Sequence, residues 1–241
     1  MNTFFISDLH LDENHPEITE CFLQFLATQA KTANALYILG DFFETWVGDD
    51  NDSPLITQIA EALKQLSASM PIYFIQGNRD FLLGKRFAKR CGMQLLPDPT
   101  VINLYGKPVL LMHGDLLCTD DVVYQKFRKK AHNRWLRALF LSLPLFLRRK
   151  IAIAARKRSQ QYAKTINRTI QDVTQTAVEN YLRAAGSQIL IHGHTHLPAI
   201  HEFTLDGYAA KRIVLPAWHG SGGAVKYHAT GELEFLNLPY M

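Results

Sequence analysis

The chain has few cysteines, and their spacing argues against several classes of protein. Only three occur in 241 residues, Cys21, Cys91 and Cys118, and no two of them form a CxxC pair. An odd number of widely separated cysteines argues against a disulfide scaffold and against a structural zinc site built on thiolates. We therefore expect a protein of a reducing, cytoplasmic compartment.

Long apolar runs, internal repeats and low-complexity tracts are also lacking. The longest apolar stretch runs from Ala138 to Leu147 and is interrupted by Ser142 and Pro144, whereas a membrane-spanning helix takes about 20 residues. The N-terminus has neither the basic region nor the cleavage site of a secretory signal. With 47% hydrophobic and 20% charged residues, the composition predicts a globular protein with one sizeable core, or one core plus an insertion.

Acidic residues are missing from one long segment of the chain. Residues 122–171 hold 14 of the 26 lysines and arginines and none of the 22 acidic residues, so the rest of the chain carries 12 basic and 22 acidic residues. Aromatic residues and a leucine stripe are interleaved with these charges. Such a basic amphipathic segment favours a phospholipid-like substrate and an anionic membrane surface, with Arg148, Arg149 and Lys150 as candidate vesicle-binding charges. Nucleic acid would also satisfy the charge, but it has no use for the apolar stripe.

Hydrophobic periodicity predicts an α/β core. Apolar residues recur with a helical period over 16–29 and 54–66, between short strand-like runs, and Gly106 lies in a predicted hairpin. From Thr119 to about Ala185 the pattern is helical, with Thr119 or Asp120 as the first cap, a break at Pro144 and one helix from Ser159 to Ala184. Strands return after Gly186, so we predict a core of residues 1–117 and 186–241 with a helical insertion at 118–185.

Five short motifs with metal-ligand residue types follow predicted strands. Each holds carboxylate, amide or imidazole groups, and four of the five contain glycine. A buried strand that ends in a polar turn delivers its side chains to one edge of a sheet. The motifs are Asp8-Leu9-His10, Gly40-Asp41, Gly77-Asn78-Arg79-Asp80, His113-Gly114-Asp115 and His192-Gly193-His194-Thr195-His196.

If they converge, these motifs predict two divalent cations and a two-metal phosphoesterase. Oxygen and imidazole ligands suit Mn²⁺, Zn²⁺ or Fe²⁺. Any one motif alone is more often structural, but the ordered set of five is not expected by chance. One cation is predicted on Asp8, His10, Asp41 and His196, and the other on Asp41, Asn78, His113 and His194.

The ordered set resembles the calcineurin-like metallophosphoesterase superfamily, whose pattern is D-x-H, G-D, G-N-[HR]-[DE], H-G and G-H-x-H. The segments 37–50, 77–84, 113–121 and 191–196 are similar to one branch of it, the UDP-2,3-diacylglucosamine pyrophosphohydrolases of lipid A synthesis. The resemblance implies a four-layer αββα sandwich with the basic insertion as a cap. It also implies two Mn²⁺ ions and hydrolysis of UDP-2,3-diacylglucosamine to UMP and 2,3-diacylglucosamine 1-phosphate. A peripheral location on the cytoplasmic face of the inner membrane follows, with no nucleic-acid or protein partner expected.

Arg79 stands where many members of the superfamily have a histidine. Arginine keeps its proton and is a poor general acid, but it clamps phosphate oxygens well. We therefore predict that Arg79 stabilises charge in the transition state and serves catalysis together with Asp41 and His113. A phosphate leaving group needs little protonation, which agrees with cleavage of a phosphoanhydride by a water that attacks one phosphorus in line. Asp80 either orients this loop or is a plain turn residue.

The resemblance also implies contacts to the substrate. The implied residues are Asn78, Arg79, Asp121, Ser159 and His194. Two helix positions that are usually polar in the family are Ala163 and Ile166 here, and we predict that Lys164 or Asn167 takes over the contact.

Three other functions fit parts of the sequence. A phosphohydrolase of soluble nucleotides or dinucleotides would need the same motifs, and a nuclease would agree with the basic charge. A non-catalytic scaffold for membrane or protein binding would keep the fold, but the intact set of seven ligands argues against it.

Overall fold

Two β-sheets form the centre of the computed structural model, which describes residues 1–165 and 172–240. In the first sheet the strands run in the order β11-β10-β1-β2-β3-β4, and in the second β5-β6-β7-β9-β8. The first comprises β1 (Asn2–Ile6), β2 (Ala35–Leu39), β3 (Ile72–Ile75), β4 (Met93–Leu96), β10 (Gly222–His228) and β11 (Leu233–Leu238). The second comprises β5 (Thr100–Leu104), β6 (Lys107–Met112), β7 (Ile189–His192), β8 (Ala199–Leu205) and β9 (Tyr208–Val214).

Alternation along the strands separates the core into layers. In β1, Phe4 and Ile6 pack with the helices on the outer face, whereas Phe5 packs between the two sheets. Helices α1 (Pro16–Thr28), α2 (Pro54–Ser67) and α3 (Lys85–Cys91) cover the first sheet, and α7 (Gln175–Ala185) covers the second. The predicted four-layer αββα sandwich is confirmed. The strands β1 to β4 are parallel, as are β6, β7 and β9, so their carboxyl ends meet at common edges.

The insertion consists of α4 (Val122–Ala131), α5 (Arg134–Ser142) and α6 (Leu145–Thr165). Pro144 separates the last two, as predicted. The predicted cap was wrong, because Asp121 itself caps α4 by accepting a hydrogen bond from the Tyr124 amide. Residues 166–171, with Ile166 and Asn167, lie outside the described part of the chain.

A single helix from Ser159 to Ala184 was a wrong prediction. Helix α6 is described as far as Thr165, and the chain at 172–174 is not helical. The amide of Thr174 donates to the carbonyl of Leu117, and the hydroxyls of Thr119 and Thr174 are 2.7 Å apart. These contacts tie the chain to the core directly before α7 begins. Since α7 shares a hydrophobic cluster with the second sheet, it contributes to the sandwich; the boundaries 117/118 and 185/186 stay a prediction.

Acidic residues of the core neutralise part of the basic insertion. Arg128 contacts Asp115 at 2.6 Å, Arg148 pairs with Asp50, and Arg156 contacts Glu44 at 2.7 Å. Three arginines of the insertion therefore have their counter-charge within the protein.

Other charges of the insertion face solvent beside an unusual number of exposed apolar side chains. The exposed basic residues are Lys126, Lys129, Lys130, Arg134, Arg149, Lys150, Lys157 and Arg158. The exposed apolar ones include Val122, Val123, Phe127, Trp135, Leu136, Leu139, Phe146 and Ile153. Monomeric proteins rarely expose so contiguous an apolar set without a binding role. Among the described residues no helix is long and apolar enough to cross a membrane.

Candidate metal centre

Five of the seven predicted ligands have a left-handed backbone. Asp8, His10, Asp41, His194 and His196 have φ between 50° and 71°, a region that non-glycine residues rarely enter. Two residues apart in a strand would face the same side, but β1 already ends at Ile6, so the left-handed turns at Asp8 and His10 aim their side chains instead. Such strain costs about 1–3 kcal/mol per residue and concentrates at functional sites.

Asp8 presents one free carboxylate oxygen to the site. Its Oδ2 accepts hydrogen bonds from the Ser7 hydroxyl at 2.6 Å and the His194 amide at 2.8 Å. Its Oδ1 is buried without a hydrogen-bond donor and lies 3.4 Å from Nε2 of His196. A buried oxygen without a donor is costly, and a cation would satisfy it.

Asp41 lies between the two predicted shells. Its Oδ2 is 4.0 Å from Nε2 of His10, and its Oδ1 is 3.7 Å from Nε2 of His113. The His113 ring donates Nδ1–H to the carbonyl of Leu39 at 2.8 Å, so Nε2 is the ring nitrogen directed inward and available to a cation. This placement agrees with a bridging role for Asp41.

Asn78 completes a cluster of acceptors. Its Oδ1 is 3.0 Å from both Nε2 of His113 and Nδ1 of His194. In this orientation the lone pairs face one another, as around a cation; rotating the amide would instead place its NH₂ within 3.0 Å of both rings. These oxygen and nitrogen atoms therefore suit the ligation of a cation.

The site favours positive charge. Burial alone would lower the pKa of His113, but Asp41, Asp115 and Asp8 raise it to about 9. Burial and the neighbouring His113 lower the pKa of His194 to about 4, so this imidazole is neutral and free to ligate. The carboxylates that stabilise the protonated form of a buried histidine here can equally stabilise a divalent cation.

Glycines let the motifs approach one another. A Cβ on Gly40 would lie 2.6 Å from the backbone of Gly77, and one on Gly77 would clash with the backbone amide and carboxylate of Asp41. A Cβ on Gly193 would clash with Ser7 and Asp8. The second and third motifs thus meet backbone to backbone, and the fifth lies directly against side chains at the first.

Glu44 was missed by sequence reasoning and joins the site to the insertion. Its carboxylate lies 3.1 Å from Nδ1 of His10, 3.0 Å from Nη1 of Arg79 and 2.7 Å from Nε of Arg156 in α6. Burial would raise the pKa of Glu44, but His10, Arg79 and Arg156 lower it to about 2. The only signal in the sequence was its position three residues after Asp41.

Arg79 and Asp80 differ in their placement. Arg79 is partly exposed, with its Nε 3.8 Å from Oδ2 of Asp41. Asp80 is fully buried and accepts hydrogen bonds from the amides of Gly77 and Phe42, at 2.8 and 2.7 Å. Burial and the charge of Asp41 raise the pKa of Asp80 to about 6. Of the two roles considered for Asp80, loop orientation agrees with these contacts.

The remaining predicted substrate residues lie in or beside the insertion. Asp121 caps α4 and accepts a hydrogen bond from the Tyr162 hydroxyl at 2.9 Å, and Tyr124 packs 6.2 Å from the His194 ring. Ser159 is exposed on α6. The side chain of Lys164 lies outside the described residues. Contacts of Asp121, Ser159 and Lys164 with a substrate stay predictions.

The structure brings all seven predicted ligands together. Two groups of three have ligand atoms within 4.8 Å of one another, Asp8 with His10 and His196, and Asp8 with Asp41 and His113. Asn78 and His194 adjoin the second group through the contacts above. A set of imidazole and oxygen ligands, with no thiolate among these residues, suits a divalent cation.

Comparison with known proteins agrees with this centre. A family model for calcineurin-like phosphoesterases matches residues 1–198. The UDP-2,3-diacylglucosamine hydrolase of Edwardsiella ictaluri is 54% identical over 99% of this chain and 93% of the relative. The protein of the same name from Coxiella burnetii is 52% identical over 97% of this chain and 96% of the relative.

Solved structures agree at the level of the fold. A structure of an archaeal phosphodiesterase covers 99% of this chain with a TM-score of 0.52 and 12% identity, a likeness that concerns the fold alone. The family match and the identity to full-length relatives establish that this chain belongs to the calcineurin-like phosphoesterases and, within them, to the family of the UDP-2,3-diacylglucosamine hydrolases.

Proposed function

We propose that this protein hydrolyses the diphosphate of UDP-2,3-diacylglucosamine, releasing UMP and 2,3-diacylglucosamine 1-phosphate for lipid A synthesis. The observation that carries the proposal is the convergence of all seven motif side chains on one partly buried centre, in a chain 52–54% identical to hydrolases of this name. The intact centre argues against a non-catalytic scaffold.

We further propose that the cofactor is a pair of Mn²⁺ ions. Asp8, His10, Asp41 and His196 would hold one, and Asp41, Asn78, His113 and His194 the other. Bound divalent cations supply Lewis acidity, which lowers the pKa of water and neutralises charge on the diphosphate. The mixed imidazole and carboxylate set suits Mn²⁺, although it suits Zn²⁺ and Fe²⁺ as well.

Side chains of the protein supply the remaining chemistry. Arg79 directs a permanent positive charge at the edge of the centre, where it stabilises charge on the phosphate oxygens. Glu44 holds the guanidinium of Arg79 through the 3.0 Å contact, so the clamp is positioned before substrate arrives. The hydrogen bond from His113 to Leu39 fixes the imidazole tautomer. A phosphate monoester leaves as a stable anion, so no side chain has to protonate it.

A direct assay tests the activity and its metal. We expect the protein, stripped with chelator and reloaded with Mn²⁺, to release UMP from UDP-2,3-diacylglucosamine, and Mg²⁺, Zn²⁺ or Fe²⁺ to restore less. UDP-N-acetylglucosamine and a dinucleotide polyphosphate serve as controls without acyl chains. Equal turnover of these soluble compounds would favour the alternative phosphohydrolase, and turnover of single-stranded DNA would favour the nuclease.

We also propose that the insertion docks the protein on an anionic membrane, the inner membrane's cytoplasmic face. The support is the exposed set of apolar and basic side chains on α4 to α6. Arg148, a vesicle-binding candidate from the sequence, does not belong to this surface. It is 2% exposed, donates to the carbonyl of Val47 and pairs with Asp50. These contacts anchor α6 to the core.

Vesicle binding tests this role. Each surface lysine or arginine near an anionic membrane contributes about 1 kcal/mol, so changing Lys126, Lys129, Lys130 and Arg134 to glutamine is expected to weaken binding to phosphatidylglycerol vesicles by roughly a hundredfold or more at low salt. The matched control changes four exposed lysines outside the insertion to glutamine: Lys31, Lys64, Lys85 and Lys89. Equal loss in both variants would refute a specific docking surface.

A further inference from the structure

A cavity adjoins the metal centre beside the fifth motif. It has a volume of about 810 Å³, within the range of about 300–1,000 Å³ typical of small-molecule sites. Its walls come from the end of the fifth motif, the loop at 216–221 after β9, strands β10 and β11, and Asp172 shortly before α7. His196 forms part of the wall, so the cavity and the metal centre share a residue.

Helices α4 to α6 and the cavity involve different loops of the core. Contacts of the insertion with the core go to residues that follow β2, β3, β4 and β6, namely Glu44, Asp50, Phe81, Asp98 and Asp115. Apart from Asp172, the cavity is formed by residues that follow β7 and β9 and by β10 and β11. A diphosphate bound at the metals could therefore direct one substituent toward α4 to α6 and the other toward the cavity.

The cavity wall suits a neutral, planar group with polar edges. Phe235 and Leu197 are 39% and 63% exposed and offer apolar faces for stacking. Phe235 and Asn237 share a face of β11 because they are two residues apart, so an amide stands beside the ring. Amide groups can donate to and accept from the edge of a pyrimidine.

Two further observations favour a nucleoside over a lipid or a polyanion. No lysine or arginine lines the cavity in the described part of the chain, which disfavours a phosphate-rich ligand. The hydroxyl of Thr195, a wall residue, is buried without a hydrogen-bond partner among the described residues. Ser221 and His219 add polar groups to the wall that suit a ribose. Acyl chains would instead gain from the apolar surface of the insertion.

We propose that this cavity binds the uridine half of the substrate, so that the diphosphate lies across the metals between uridine here and the acylated sugar at the insertion. The inference rests on the proposed hydrolysis of UDP-2,3-diacylglucosamine. It assigns substrate specificity to Phe235 and Asn237, outside the five motifs.

Binding of the two products separately tests the proposal. We expect Phe235→Ala and Asn237→Ala each to weaken UMP binding to the Mn²⁺-loaded protein about tenfold in calorimetry, the loss typical of removing a stacking or edge contact to a base. The KM for UDP-2,3-diacylglucosamine should rise in parallel, while binding of 2,3-diacylglucosamine 1-phosphate stays as in the wild type. Tyr208→Ala is the matched control, because this aromatic is 69% exposed in the β8–β9 hairpin and should change neither product's affinity.

The outcomes separate this inference from the proposed function. If the wild type releases UMP and both variants bind UMP as it does, the cavity is not the uridine site. An equal loss of affinity for both products in the variants would also overturn the inference, since that result indicates general damage to the fold. A wild type that neither releases nor binds UMP would refute the proposed function and this inference together.

Discussion

Asp41→Asn is expected to lose at least about a thousandfold in hydrolysis, or roughly 4 kcal/mol of transition-state stabilisation. The carboxylate of Asp41 lies between His10 and His113, at 4.0 and 3.7 Å from their Nε2 atoms, so its charge would serve both cations. An amide keeps the shape but removes the charge. Mass spectrometry of the variant should show a loss of bound metal that parallels the loss of UMP release. Such a parallel would attribute the lost activity to the metal centre.

The matched control is Asp206→Asn. Its carboxylate is exposed and pairs with Arg183 at 3.0 Å on the surface, where an ion pair contributes little. We expect wild-type turnover and metal content from it. Turnover of Asp41→Asn within tenfold of the wild type would contradict a bridging role and with it the two-metal proposal.

Gly77→Ala is expected to damage both the fold and the site. The new methyl group would clash with the carboxylate of Asp41 and with the backbone of Gly40 and Asp41, and backbone cannot move aside as a flexible side chain can. Overpacking of this kind costs about 2–3 kcal/mol, which lowers the Tm of a chain of this size by roughly 5–10 °C. Because the loops at Gly40 and Gly77 must separate, activity should fall by about a hundredfold or more even at temperatures where the variant is folded.

Gly207→Ala distinguishes strain from crowding. Gly207 has φ of 85° in the β8–β9 hairpin, and a Cβ there would meet no atom within 4 Å. The alanine should cost about 1 kcal/mol through its backbone conformation alone and leave activity unchanged. Circular dichroism would show whether Gly77→Ala is folded. Wild-type activity of the folded variant would mean that the close approach of the motifs does not matter for function.

The sequence predicted the chemistry of the centre better than its backbone. Strand ends and ligand types are local properties, so all five motifs fall at the predicted positions. The left-handed conformations at Asp8 and His10 are imposed by contacts with distant segments, such as the hydrogen bonds from the amides of Asp8 and His10 to the carbonyls of Gly40 and Asp41. No local pattern encodes them.

The missed elements have a similar explanation. Helix α3 has seven residues and β4 has four, too few for a period to be recognised. Strand β8 exposes most of its side chains and is held by pairing with β9, which depends on register between segments. The contact of Arg156 with Glu44 joins residues 112 positions apart, and only the folded chain brings them together.

The arginine contacts of the insertion have a practical consequence for protein engineering. A truncated chain in which a short linker replaced α4 to α6 would lack Arg128, Arg148 and Arg156. The carboxylates of Asp115 and Asp50 would then lose these arginine partners, and Glu44 would keep only Arg79 and His10. Such a minimal domain would be expected to fold less stably and to bind cations with altered affinity, so the insertion cannot be exchanged between relatives as an independent module.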